Sequence, residues 1–221
     1  MISLQNLYNR LYDHYGPQRW WPADSPFEVI VGAILTQNTN WQNVERAISN
    51  LRSASALDPT SIRNLPIAEL ETLIRPSGFF RQKAVRLQRF TSLLQTDFAD
   101  DLQALLSLPL TDLRELLLEQ SGIGPETADA IVLYAAGKPS FVVDAYTHRI
   151  LERIGIETGR QQYEQTRALF MTALPHSPEL FNEYHALIVR LVKECCRKRT
   201  PLCSSCPLLP CCSYGRSTTG N

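Results

Sequence analysis

The cysteines are the residues whose spacing most clearly indicates chemistry. All 6 lie between Cys195 and Cys212, whereas a disulfide scaffold would distribute them along the chain. Four follow the pattern Cys196-x6-Cys203-x2-Cys206-x5-Cys212. Four thiolates from one short loop suit a [4Fe–4S] cluster, and tetrahedral zinc also accepts four sulfurs. The spacing therefore predicts a metal centre, for which the adjacent Cys195 and Cys211 offer a second register.

A pair of glycines between two helical segments is the second chemical feature. Gly122 and Gly124 flank Ile123 and allow a tight turn between the helices. Backbone N–H groups exposed at the start of the second helix bind a phosphate without any basic side chain. An ordinary helix–helix turn fits the same glycines, so on their own they leave both interpretations open.

One carboxylate, Asp144, follows the second hairpin helix in the segment Phe141-Val142-Val143-Asp144. This combination of a hairpin, a glycine- and proline-rich loop and an aspartate resembles that of the endonuclease III-type DNA glycosylases. The similarity extends from about Ser25 to the last cysteine. The resemblance implies that Asp144 is the catalytic carboxylate. Such an anion stabilises the positive charge that develops on the sugar when an N-glycosidic bond breaks, and it can orient water. The alternative, a helix cap for the residues up to Ile150, is compatible with that role.

The cysteine spacing resembles the iron–sulfur loop of the same family. This implies a [4Fe–4S] cofactor held by Cys196, Cys203, Cys206 and Cys212, with a structural or redox-sensing role. Between Cys196 and Cys203 lie three cations, Arg197, Lys198 and Arg199, which are expected to contact DNA phosphates. The alternative is that they are an ordinary run of solvated charges.

Family members that also cut the DNA backbone carry a lysine immediately before the hairpin threonine, and this lysine forms a Schiff base. Here Glu126 precedes Thr127. A glutamate forms no imine. The resemblance therefore implies a monofunctional glycosylase that leaves an abasic site, with Glu126 facing the pocket. A carboxylate also suits the first turn of a helix electrostatically.

All 3 tryptophans lie near the N-terminus, in Trp20-Trp21-Pro22 and at Trp41 after Thr36-Gln37-Asn38-Thr39. With the Gly-Ile-Gly-x-Glu hairpin, these segments resemble the bacterial 3-methyladenine glycosylases of the endonuclease III type. An N3- or N7-alkylated purine is positively charged, and an indole face attracts it by a cation–π contact of about 2 kcal/mol. The resemblance thus implies an aromatic base pocket, although large aromatic residues are also ordinary core residues.

Base extrusion leaves a gap in the duplex, and two residues are candidates to fill it. By resemblance, Gln37 is the plug, and Phe79 is an intercalating wedge beside Arg81 and Lys83, which suit phosphates. The hairpin supplies the remaining expected DNA contacts, namely Gly122, Ile123, Gly124 and Thr127.

These residues require helices to position them. Ser25-Pro26-Phe27-Glu28 is a capping box with proline at the first helical position, and Ser177-Pro178-Glu179 opens a helix through Leu191. Apolar residues three and four apart predict helices within 67–74, 84–94, 102–106 and 113–118. Only 141–143 is strand-like, and the polar tail from Ser213 to Asn221 is predicted to be disordered.

We therefore predict an all-α, two-lobed helix-hairpin-helix glycosylase fold. Residues 24–137 form a six-helix barrel domain, and residues 1–23 with 138–221 form the domain that carries the cluster loop at 196–212. Asp144 is expected on one wall of the cleft between them.

Composition sets limits on the partners. Lys+Arg and Asp+Glu both number 22, so DNA binding must depend on local patches. Apolar runs are too short to span a membrane and the first residues lack secretory features, which predicts a cytoplasmic protein. The expected partner is double-stranded DNA with damaged bases, bound by a monomer.

Two other functions remain open from the sequence. One is excision of an oxidised or deaminated pyrimidine or a mismatched base, with or without lyase activity. The other belongs to a different class, a non-catalytic DNA-binding or redox-sensing iron–sulfur protein, which would not need Asp144.

Overall fold

The computed structural model describes residues 2–18, 20, 23–156 and 162–220. Regular structure in these ranges is helical throughout, without a β-strand. The chain forms two compact units, a continuous unit of residues 21–138 and a discontinuous unit of residues 1–20 and 139–221.

The continuous unit is a set of short helices around one buried helix. In chain order they are α2 (Pro26–Leu35), α3 (Trp41–Ser53), α4 (Pro59–Asn64), α5 (Ile67–Leu73), α6 (Phe80–Phe98), α7 (Leu102–Ser107), α8 (Leu110–Glu119) and α9 (Pro125–Ala130). A π-helix over Ile131–Ala135 continues α9, and a 3-10 turn, Arg75–Ser77, precedes α6.

Helix α2 is the centre of this unit because every residue from Phe27 to Leu35 is buried. It packs against α3, α6, α9 and the π-helix. Ser25 caps it by accepting a hydrogen bond from the Glu28 backbone N–H at 3.2 Å. The other half of the predicted capping box is shifted, since the Glu28 carboxylate accepts from the Asp24 backbone N–H and pairs with Arg52 at 2.9 Å.

The discontinuous unit joins the two ends of the chain. Its helices are α1 (Leu4–Tyr15), α10 (Ala145–Ile154), α11 (Tyr163–Ala173), α12 (Pro178–Glu194) and α13 (Ser213–Thr219). Phe141 stacks on Phe170 at 3.8 Å between ring centres, and Tyr184 packs edge-on to both rings. The Tyr184 hydroxyl donates to the Leu4 carbonyl at 2.9 Å, which ties α12 to the start of α1. The strand-like segment 141–143 is therefore buried core.

The prediction of a disordered tail is wrong for residues 213–219, which form α13. The Cys212 sulfur caps this helix by accepting from the Gly215 backbone N–H at 3.3 Å. The Tyr214 ring lies 4.6 Å from the Arg153 guanidinium. Composition indicated disorder, but a sulfur cap and one aromatic contact hold the segment against α10.

No helix within the described ranges is long and apolar enough to cross a membrane.

Candidate active site

Asp144 is the N-cap of α10, and its carboxylate is fixed by several donors. Its Oδ1 accepts from the backbone N–H groups of Tyr146 and Thr147 at 3.0 and 2.7 Å and from the Thr147 hydroxyl at 2.9 Å. The Asp144 side chain is 15% exposed, and its Oδ2 lies 3.5 Å from Nε2 of His185 on α12. One oxygen therefore holds the helix, while the other faces the imidazole.

The environment of Asp144 keeps it ionised. Burial raises its pKa, but the hydrogen bond and positive charge of His185, followed by the donations from Thr147, outweigh burial. The pKa of Asp144 therefore lies below its ordinary value. A carboxylate that stays charged in a largely buried position is suited to stabilise a nearby cation.

The hairpin between α8 and α9 has the geometry that its glycines predict. Gly122 has a φ of +92°, the left-handed region that favours glycine, and Gly124 is the N-cap of α9. Ile123 is buried, so it anchors the turn from inside. The Arg114 guanidinium binds the fully buried Asp129 carboxylate through two hydrogen bonds of 2.9 and 3.1 Å, which joins the two hairpin helices.

Gln37 lies in the turn after α2, and its amide is bound to the hairpin. Its Nε2 donates to the Gly122 carbonyl at 3.0 Å and to the Thr127 hydroxyl at 2.9 Å. Its Oε1 accepts a hydrogen bond from Arg86 on α6. The structure thus brings Gln37, Gly122 and Thr127 together, and Gln37 must exchange these partners before it can enter DNA.

Phe79 combines a left-handed backbone with an exposed side chain. Its backbone is left-handed, with φ 46° and ψ 30°, and its side chain is 61% exposed. Strain at a bulky, exposed residue costs of order 1–3 kcal/mol. The next ring, Phe80, has the guanidinium groups of Arg75 and Arg81 at 5.7 and 5.9 Å from its centre. The exposed Phe79 is therefore next in the chain to a ring that contacts two cations.

Lys83 does not have the position that the sequence suggested. It was expected beside phosphates, but it is fully buried, with its ammonium bonded to two backbone carbonyls. Its place one turn into α6 directs it into the core, whereas Arg81 is exposed.

Five of the six cysteines line one cavity in the discontinuous unit: Cys195, Cys196, Cys203, Cys206 and Cys212. Arg153 donates to the Cys196 sulfur at 3.1 Å, and burial raises the pKa of Cys206 to about 12. Cys211 lies instead in a groove with Arg10 and His14. Within the described ranges, no three or more His, Cys, Asp or Glu side chains are grouped to hold a single metal ion.

Comparison with known proteins decides the family. Residues 31–176 match the model of the HhH-GPD superfamily of base excision DNA repair proteins. A putative DNA repair glycosylase of Methanocaldococcus jannaschii is 44% identical over 95% of both chains. The chain belongs to the HhH-GPD superfamily. It is a DNA glycosylase of the endonuclease III type, and the predictions of this family and of an all-α fold are confirmed.

Two solved structures are similar to this glycosylase. The Helicobacter pylori 3-methyladenine DNA glycosylase bound to 1,N6-ethenoadenine has a TM-score of 0.77 at 28% identity, covering 87% of this chain and 98% of that one. An endonuclease III–DNA complex has a TM-score of 0.83 at 23% identity, with both chains fully covered, which shows the shared fold.

The tryptophans of the glycosylase divide between the two units. Trp20 belongs to the discontinuous unit and is half-buried, with the Lys193 ammonium 5.6 Å from its ring centre. Trp41 belongs to the continuous unit, at the first position of α3, and its indole N–H donates to Glu45 at 2.7 Å. Trp21 and Pro22 lie outside the described residues. The aromatic pocket stays a prediction.

Glu126 and the basic triplet are exposed. Glu126 occupies the first turn of α9, where a carboxylate suits the positive end of the helix. The side chains of Arg197, Lys198 and Arg199 are exposed, while Arg153 binds the backbone carbonyls of Arg197 and Lys198 at 3.0 and 3.3 Å. The loop backbone is thus fixed and its cations face solvent.

Sequence reasoning missed His185 and Arg86. His185 lies on the buried face of α12, where its spacing from Tyr184 and Ile188 resembles that of any core residue. Arg86 lies among several basic residues of α6. Neither position carries a signal, because each acquires its role from a partner far away in the chain.

Proposed function

We propose that this glycosylase is monofunctional and hydrolyses the N-glycosidic bond of an alkylated purine in duplex DNA. The observation that carries the proposal is the ionised Asp144, held as the cap of α10 with one oxygen towards His185. In this role the carboxylate stabilises the oxocarbenium-like sugar and orients the attacking water, as the reaction requires.

The identity of Glu126 supports the proposal that the base is released without strand cleavage. An amine is needed to form an imine with the opened sugar, and the carboxylate of Glu126 cannot provide one. The product would be an abasic site whose strand breaks only in alkali.

DNA binding would depend on local features, since the formal net charge is zero. The backbone N–H groups after Gly124 are suited to one phosphate, and the exposed Arg81 lies beside the wedge residue Phe79. Arg197, Lys198 and Arg199 would add phosphate contacts from the cysteine loop. The expected partner is a duplex with a damaged base, bound by a monomer.

The proposed substrate class follows from the leaving group and from similarity. A purine alkylated at N3 or N7 is already positively charged, so it leaves without a strong general acid, and the site needs only an anion for the sugar. The 28% identity to a glycosylase solved with 1,N6-ethenoadenine supports a modified purine. Since Lys193 lies over one face of Trp20, only the opposite indole face could accept a cationic base.

We further propose a [4Fe–4S] cluster held by Cys196, Cys203, Cys206 and Cys212. The residues fit such a cluster because several cysteine sulfurs line the cavity. In addition, Arg153 and the Gly215 backbone N–H donate hydrogen bonds to the sulfurs of Cys196 and Cys212. Each of the four irons would take one thiolate, unlike the single ion of a zinc site. When bound, the cluster would supply a structural or redox-responsive centre.

The test is single-turnover base release from duplexes that each contain one defined lesion: alkylated purine, oxidised pyrimidine, uracil or mismatch. Strand scission is scored before and after alkali. We expect release of alkylated purine, with breaks only after alkali, and no adduct trapped by borohydride. Release of pyrimidines alone would overturn the substrate class, and breaks without alkali would overturn the monofunctional mechanism. An Asp144→Asn variant with full activity would favour a non-catalytic protein.

A further inference from the structure

Lys83 is a buried cation that, among the described residues, has no carboxylate as a hydrogen-bond acceptor. It is fully buried, and its ammonium donates to the Leu35 carbonyl at 2.9 Å and to the Ser77 carbonyl at 2.7 Å. Burial, together with the nearby charge of Arg86, lowers the pKa of Lys83 to about 8. A neutral side chain of the same length would avoid the desolvation of an ammonium group, so packing alone does not account for a lysine here.

Both carbonyls belong to the last residue of a helical segment. Leu35 ends α2, and Ser77 ends the 3-10 turn before α6. Carbonyls at a helix end lack an intrahelical donor and lie at the negative end of the helix dipole. The ammonium therefore satisfies two separate chain ends with one group.

Each of these two ends leads directly to a residue proposed to enter DNA. Gln37 follows Leu35 by two positions, and Phe79 follows Ser77 by two positions. One ammonium group thus fixes the backbone just before both.

Helix α6 holds the plug segment at a second point. Arg86, three residues after Lys83, binds the Gln37 side-chain oxygen. The same helix begins at Phe80, immediately after the wedge, and its buried face includes Ala84, Leu87 and Phe90. Helix α6 therefore contacts the plug residue Gln37 through Arg86 and directly follows the wedge residue Phe79.

We propose that Lys83 is a positioning residue that fixes the spacing between the plug segment (residues 36–40) and the wedge segment (residues 75–79), so that Gln37 and Phe79 enter the duplex together. This role rests on the proposed function of these two segments. Lys83 itself touches no DNA, and it acts through the backbones that it joins.

The experiment compares Lys83→Met with Arg63→Met in the full-length, cluster-loaded protein. Arg63 is a matched control, because it is also a poorly exposed cation of the same unit, and it donates to the Thr91 carbonyl at 2.9 Å and pairs with Asp100. Thermal unfolding of both variants measures the general cost of losing a buried cation. Lys83→Gln, which keeps one donor, replaces Lys83→Met should the latter fail to fold.

The functional readout is binding to a duplex with a stable abasic-site analogue, next to 2-aminopurine that reports unstacking. We expect Lys83→Met to lose about tenfold in affinity and most of the fluorescence increase, as for loss of a charge-assisted hydrogen bond. Arg63→Met should retain both. A Phe79→Ala variant should lose the fluorescence increase, and adding Lys83→Met to it should change that signal little further.

The outcomes separate the two proposals. Equal behaviour of folded Lys83→Met and Arg63→Met, with Phe79→Ala impaired, would overturn the role of Lys83 alone. Full fluorescence in Phe79→Ala, or no binding by the unaltered protein, would overturn the proposed wedge and DNA-binding function, and the role of Lys83 with them.

Discussion

At the scale of a single residue, Asp144 has a structural role and a proposed chemical role, and the hydrogen bonds separate the two by atom. Oδ1 accepts three donors from the first turn of α10, whereas Oδ2 faces His185. A side-chain amide in place of the carboxylate keeps an oxygen for the cap, but it loses the negative charge. The chemical role can therefore be removed while the structural role remains.

Asp144→Asn should fold normally and release its base about 100- to 1,000-fold more slowly, the usual effect of losing one charge-stabilising group. The measurement is single-turnover base release at saturating enzyme. Asp58→Asn is the matched control, because Asp58 caps α4 in the same way, accepting from the Ser61 N–H at 2.9 Å. A similar loss in both variants would assign the effect to helix capping.

We expect His185 to control the acid side of the pH profile through Asp144. Because the folded-state pKa of Asp144 is depressed, its ionised form stabilises the fold above the unfolded-state pKa, and this contribution is lost as the pH falls through the folded-state value. His185→Leu removes the hydrogen bond and the charge that lower the pKa of Asp144 most, and it leaves the burial that raises this pKa. The pKa of Asp144 should therefore rise in this variant.

We expect base release by His185→Leu to decline at a higher pH than in the unaltered protein, and His185→Gln, which keeps a donor, to be intermediate. Single-turnover rates between about pH 4 and 8 cover the ordinary range of an aspartate and the neutral plateau. His14→Leu, at an exposed position of α1, serves as control. Identical profiles for all variants would show that His185 has no part in holding Asp144 ionised.

At the scale of elements, α6 has left-handed residues at both ends. Phe79 precedes it with a φ of 46°, and Ala99 follows it with a φ of 52°. Glycine adopts this conformation without the steric penalty of a Cβ. Both sites carry the same backbone strain, but only Phe79 adjoins the proposed DNA surface.

Phe79→Gly should stabilise the fold by up to about 1 kcal/mol, because the strain is relieved and the exposed ring buries little. The same variant should bind an abasic-analogue duplex more weakly. Ala99→Gly should give the stability gain without the loss of binding. Chemical denaturation and DNA titration measure the two effects, and a Phe79→Gly protein with unimpaired binding would contradict the wedge.

Helix positions were predictable because capping and apolar periodicity are local. The Ser25 and Ser177 caps form, and the periodic stretches fall within α5, α6, α7 and α8, except that Ile74 lies one residue beyond α5. The α13 segment escaped prediction because its stability depends on a tertiary contact between Tyr214 and Arg153. The burial of Lys83 was not predicted for the same reason, because its hydrogen-bond partners are backbone carbonyls of two other segments.

At the scale of the molecule, the candidate chemical residues could be selected from the sequence, whereas the residues that contact them in the fold could not. Asp144 and the cysteines stand out by type and spacing. His185, 41 positions after Asp144, becomes its neighbour only through the packing of α10 on α12. The discontinuous unit itself depends on long-range ties, such as Tyr184 to Leu4 and Gln18 to Glu183 at 2.6 Å.

The cysteine loop should contribute to the stability of the discontinuous unit more than to that of the continuous one. It lies between α12 and α13 in the chain, and Arg153 of α10 binds its backbone and the Cys196 sulfur. A cluster held by these cysteines would link the loop ends, so losing a ligand should loosen α10, α12 and α13 together, because metal binding is coupled to folding.

Cys203→Ala should lose the broad absorbance at about 400 nm that is expected for an iron–sulfur thiolate centre. Its α10 and α12 amides should exchange faster with deuterium, while those of α2 keep their protection. Cys211→Ser is the control, since Cys211 lies outside the cavity and should keep both iron and protection. Iron loss from Cys211→Ser would move the ligand set to the alternative register. A folded Cys203→Ala protein without iron, but with unchanged exchange, would show that the discontinuous unit is stable without the cluster.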